Sequence, residues 1–150
     1  MIVECCGELK SAVPTWVAER LSTHGDFMTV FDALERIENI YHRMIEATLS
    51  EAPPDASEIL YLRREFARAC DSFLAALDSE TMAHHRSLAT SLKNAIGTLR
   101  IRLMSYTMHW QPSRIEEMPA AYHIAAEDMA RVVWSVISSA RASLTQAIMR

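Results

Sequence analysis

Glu35, Glu38, His42 and Glu46 follow one another at steps of three and four. A helix would carry all four on one stripe. Carboxylates and imidazoles facing inward from several helices are what bundles use to hold iron, manganese or zinc. At 100° per residue, Glu38 falls about 40° from the centre of its helix's apolar face and His42 about 80°. A second fragment of such a set, His123 with Glu127 one turn later, stands in the last third of the chain. A metal-dependent reading therefore takes Glu38, His42, Glu46, His123 and Glu127 as its ligands. The pattern is incomplete, because the Glu-x-x-His that di-metal bundles place on two helices is absent. A solvated stripe supported by i,i+4 pairs is the simpler expectation, with no metal and no other cofactor.

Two other arrangements could carry chemistry. His84-His85-Arg86 would suit a phosphotransfer histidine, and His84 or His85 would be the acceptor. The residues that follow, Arg86-Ser87-Leu88-Ala89, do not supply the Leu-Lys-Gly expected soon after such a histidine. His85 also falls on an apolar line, where a packed histidine is the plainer expectation. Ser135, Ser138, Ser139 and Ser143 crowd one region, but no Gly-x-Ser-x-Gly elbow frames any of them. A Gly-rich phosphate loop and a Cys-x-x-Cys pair are missing too. The chain is read as a non-enzyme.

The elements that would position these residues are punctuated by Pro and Gly. Residues 1–13 look irregular. Pro14 suits the first turn of a short helix, 14–24, which Gly25 would end. Asp26 can cap a second helix, 27–50, stopped by Pro53-Pro54. Asp55 and Glu58 have capping-box spacing and would open a third, 56–77. Asp78 or Ser79 would cap a fourth, 80–109, stopped by Pro112. Ser113 and Glu116 suggest a short turn, and Pro119 starts a last helix, 119–149. No segment alternates with period two, so no strand is expected.

Apolar residues recur at helical spacing in each long segment. The lines are Phe27, Val30, Leu34, Ile37, Tyr41, Ile45; then Ile59, Leu62, Phe66, Ala69/Cys70, Phe73, Leu77. The fourth segment reads Met82, His85, Ala89, Leu92, Ile96, Leu99, Leu103, Tyr106, Trp110, and the last Tyr122, Met129, Val133, Val136/Ile137, Ala140, Leu144, Ile148. The expected fold is all-α: one domain, 1–150, built as an up-down four-helix bundle with a short extra N-terminal helix. Gly97 within the fourth helix would mark a close helix crossing.

The 150 residues carry a net charge of −4, unevenly spread. Residues 1–80 hold 7 basic and 15 acidic groups, and residues 81–150 hold 8 basic and 4 acidic groups. The halves are expected to neutralise each other. Arg86, Lys93 and Arg100 recur every seven residues and would face Glu58 and Glu65, also seven apart. This sparse basic row, without interleaved aromatics, argues against nucleic acid. No apolar run reaches the roughly 18 residues of a membrane span. Cys5, Cys6 and Cys70 are an odd set with an adjacent pair, and the first residues lack signal-peptide character, so a reduced, cytoplasmic setting is expected. The 13 Arg against Lys10 and Lys93 suggest a GC-rich bacterial or phage genome.

One feature remains for function to use. Leu88, Ile101, Met104 and Met108 lie off the fourth helix's apolar line, and Val132 and Trp134 off that of the last. A helix that is apolar on more than one side is central in its bundle or meets another chain. These six residues are the expected interface; the alternative is that the short helix 14–24, with Trp16, Val17 and Leu21, folds over them and closes the patch within one chain. The expected function is protein–protein interaction, as an adaptor, antiactivator, secretion chaperone or immunity-type inhibitor, with a homodimer or a helical partner protein as the assembly.

Overall fold

A computed structural model describes residues 25–50 and 54–149. All its regular elements are helices: α1 (Gly25–Leu49), α2 (Ala56–Ala76), α3 (Glu80–Ala83), α4 (Arg86–His109), α5 (Pro112–Glu117) and α6 (Pro119–Met149). The expected irregular segment 1–13 and helix 14–24 lie outside the described residues, as does the expected stop at Pro53. Helix α1 includes Asp26, which was expected to precede it as the cap.

Local chemistry sets most of the other boundaries. Asp55 closes the start of α2, its carboxylate accepting from the backbone N–H groups of Ser57 at 3.0 Å and Glu58 at 3.4 Å. Ser79 does the same for α3, accepting from the Met82 N–H at 3.4 Å. Pro112 occupies the first turn of α5 after Gln111. The cap there is Gln111, so the expected Ser113–Glu116 box does not open this helix.

The expected continuous helix 80–109 is broken. The His85 N–H bonds the Met82 carbonyl at 2.9 Å, and His85 leaves helical geometry at φ −126° and ψ 48°. The break seats Met82 in the core and lays the His85 ring edge-on to Phe27, 5.0 Å between centroids. Helix α3 thus packs against α1, which a straight helix would not reach so readily.

Helix α1 packs against α2 and α6, and α4 against α6 and α2. Between them lies the main core, in which Phe27, Leu34, Ile37, Phe73, Ile96 and Leu144 are among the fully covered side chains. Every residue of the expected α2 line is buried. A smaller cluster of Ile59, Trp110, Ile115 and Tyr122 closes the corner where α4, α5 and α6 meet the start of α2. Arg63 ties this corner, donating from Nη1 to the Trp110 carbonyl at 3.0 Å.

The charged halves do meet, but through different residues from those expected. Arg100 pairs with Asp71 at 2.8 Å and Lys93 with Asp78, in reversed order along α4 and α2. Glu65 instead engages Arg68 at 2.9 Å and Arg36 at 4.0 Å. Asp71 sits on α2 and Asp78 in the turn that follows it, six and thirteen residues beyond Glu65.

Gly97 marks no close crossing. A Cβ built there meets nothing within 4 Å. Gly97→Ala should therefore stabilise the protein by about 0.5–1 kcal/mol, since alanine restricts the unfolded chain at no steric cost. Chemical denaturation measures it, and a loss of stability would contradict the open space seen at this position.

Candidate interaction surface

Helix α4 changes character along its length. Its first half buries Ala89, Leu92, Ile96 and Leu99. Beyond Arg100 the apolar line continues as Leu103 and Tyr106, which are only half-buried. Here α2 and α4 leave between them an open apolar groove of about 400 Å³. Phe66 and Cys70 of α2 and Leu103 of α4 lie along its floor, and Met104 and Met108 along one wall. Met104 and Met108 are 63% and 69% exposed, and Ile101, one turn before, is 69% exposed. A row at i, i+3 and i+7 is thus left in water beside the groove.

The charged groups of the groove are cationic. Arg63, Arg64 and Arg100 line it, and no carboxylate does among the described residues. Arg100 is paired with Asp71. Arg63 and Arg64 have no ion-pair partner among the described residues. The Arg63 guanidinium lies 5.9 Å from the centroid of the Tyr106 ring, and its Nη2 is buried without a hydrogen-bond partner. Burial pushes the Cys70 thiol up to about 12, against the opposing pull of the Arg100 charge. Burial likewise raises Tyr106, with Tyr122 beside it adding to the effect. Neither group is poised for acid–base or nucleophilic work near neutral pH.

The other expected interface residues stand differently. Leu88, Val132 and Trp134 are partly buried and pack against the main core. Trp134 is held edge-on by Tyr41 at 5.4 Å and His42 at 5.1 Å. Its extra apolar surface is used inside the chain, so the outward apolar row is Ile101, Met104 and Met108.

The carboxylate–histidine set is dispersed. Glu38 is ion-paired with Arg141 of α6. The His42 ring rests on Trp134, and Glu46 is exposed. His123 contacts Glu127 at 3.2 Å on its own helix. Trp134, which marks the position of His42, lies eleven residues from His123, about 16 Å along α6. Among the described residues no three His, Cys, Asp or Glu side chains converge on a point where a metal ion could sit. His84 is exposed beside the broken turn, while His85 is committed to Phe27.

Sequence reasoning found the α4 side of this surface and missed the α2 side. Phe66 and Cys70 read as core, which they are by burial, and nothing in the spacing singles out Arg63-Arg64. Periodicity reports which face of a helix is apolar, not how far apart two such faces stand. No protein-family model, no curated protein and no solved structure matches the chain. Among the described residues no helix is long and apolar enough to cross a membrane.

Proposed function

We propose that the protein acts by binding another protein chain through the outer face of α4, without chemistry of its own. Adaptor, antiactivator, secretion chaperone and immunity-type inhibitor are roles of this kind, and the cytoplasm is the setting we assign to it. We also read the four long helices as an up-down four-helix bundle. The neighbour scheme α1–α2–α4–α6 and the reversed order of the Arg100–Asp71 and Lys93–Asp78 pairs support that reading.

The observation that carries the functional proposal is the exposed row Ile101, Met104 and Met108 bordering an apolar groove. Large side chains left together in water mark interfaces more often than chance surface. Methionine adds side chains that repack around a partner at low cost. Two occupants fit: a second copy of the chain, and a helical segment of a different protein.

Light scattering at micromolar concentration separates them. A homodimer would give twice the 17.0 kDa chain mass. A monomer should instead retain a protein from the native host that Met104→Glu no longer retains. Because Met104 is exposed, that substitution should leave the circular dichroism spectrum unchanged. A monomer with no Met104-dependent partner would overturn the proposal. So would one or two tightly held iron, manganese or zinc ions per chain, which would return the Glu38–His42 stripe to the centre of the function.

A further inference from the structure

We infer that the groove between α2 and α4 receives an amphipathic helix of a different protein, with acidic residues flanking its apolar stripe. The inference rests on the reading of α4 as an interaction face and specifies the chemistry of its partner. Three observations carry it.

The first is shape. The lining runs from Leu60 to Cys70 on α2 and from Arg100 to Met108 on α4, about 15 Å and 12 Å along the two axes. Apolar side chains at i, i+3 or i+4, and i+7 of a docked helix span about 10 Å and match that length. Both walls are helices whose backbone groups are bonded internally, so no strand edge is offered to an extended peptide.

The second is charge. Arg63, Arg64 and Arg100 line the groove with no carboxylate among the described residues, and the first two lack ion-pair partners there. An incoming carboxylate would find cations on both walls, which favours acidic partners and disfavours basic ones.

The third argues against a second copy. Two grooves meeting across a two-fold axis would bring the same arginines face to face. The acidic helix of this chain, α1, offers only Met28 as an exposed large hydrophobe. Ile124 on α6 stands exposed beside Glu127 and Asp128, and Met118 follows Glu116 and Glu117, but each is a single side chain, so among the described residues no helix combines an exposed apolar stripe with acidic flanks. A small amphiphilic acid would satisfy the cations but would leave Ile101, outside the groove lining, in water.

The test uses the full chain and a fluorescein-labelled helical peptide of about 16 residues. Leucines stand at i, i+4 and i+7 with glutamates on both flanks, and a control peptide carries lysines in place of the glutamates. Anisotropy at low salt should show saturable binding of the glutamate peptide with a Kd of about 10–100 µM. The lysine peptide should bind at least tenfold more weakly. Arg64→Glu, at an exposed position, should weaken the glutamate peptide at least fivefold and strengthen the lysine peptide. Met104→Glu should weaken the glutamate peptide at least tenfold. Equal binding of the two peptides, indifference to Arg64→Glu, or no binding would overturn the inference. Displacement of the peptide by an equal concentration of decanoate would assign the groove to a small amphiphile instead. Photo-methionine cross-links from position 104 to residues 1–24, or to a second copy, would assign it to the chain itself. If the peptides fail while Met104→Glu still abolishes a native association, the functional reading stands and only the acidic helix falls.

Discussion

Phe73→Ala should lower the free energy of unfolding by about 3–5 kcal/mol, the cost of lost burial together with the cavity left behind. Phe73 is fully covered and belongs to the main core cluster shared by the long helices. That cost is a large share of the total stability of a domain this size. Urea denaturation followed by circular dichroism measures it. Met104→Ala, made on the exposed row, should change stability by no more than about 0.5 kcal/mol. The contrast tests the division between core and surface. A loss below about 1.5 kcal/mol at Phe73, or above it at Met104, would mean that α2 and α4 pack differently from the arrangement described.

The second large effect is alkaline. Burial raises the Tyr41 hydroxyl above its ordinary value of 10, with Tyr122 adding to it. Tyr106 is raised in the same way from 10, and the Cys70 thiol from 9 to about 12. Each group therefore holds its proton more tightly folded than unfolded. The stability they contribute is fully present below about pH 9, where both states are protonated. It is lost as pH rises through the unfolded values and on towards the folded ones. The slope is about 1.4 kcal/mol per pH unit for each group in that window. Between pH 9 and 11.5 the fall should amount to several kcal/mol. Urea midpoints at pH 7.5, 9.5 and 11 should show a plateau followed by a steep drop, shallower in Tyr41→Phe. A flat profile through pH 11 would contradict the burial of these groups.

How much of this was legible in the sequence depends on which physical signal wrote it. The apolar line of α2, from Ile59 to Leu77, was legible residue for residue, because one buried face at helical period has no competing explanation. Asp55 was legible as a cap because its side chain is short enough to reach only its own helix start. The break at His84-His85 was not, since no Pro or Gly marks it. It comes from tertiary packing, with Met82 drawn into the core and His85 laid on Phe27. Gly97 misled because glycine within a helix can mean close approach or nothing at all, and only the neighbouring volume decides. The partners of Lys93 and Arg100 were misplaced by the rotational setting of α2 against α4, which heptad spacing alone does not determine. The candidate surface was half legible. Exposure of Ile101, Met104 and Met108 followed from their angular position, whereas Trp134 turned out to be absorbed by Tyr41 and His42.

The two clusters of packed side chains carry separate tryptophans. Trp110 belongs to the corner with Ile115 and Tyr122, and lies beneath the Arg114 guanidinium, 5.6 Å from its ring centroid. Trp134 packs on the main core beside the imidazole of His42. Each indole meets an imidazole edge-on, His109 against Trp110 at 5.0 Å and His42 against Trp134 at 5.1 Å, but only Trp110 also carries a guanidinium over its face. Trp110→Phe and Trp134→Phe would silence the corner and the main core in turn, so that the emission lost at each substitution, against the signal of the remaining tryptophans, becomes an optical reporter of one cluster.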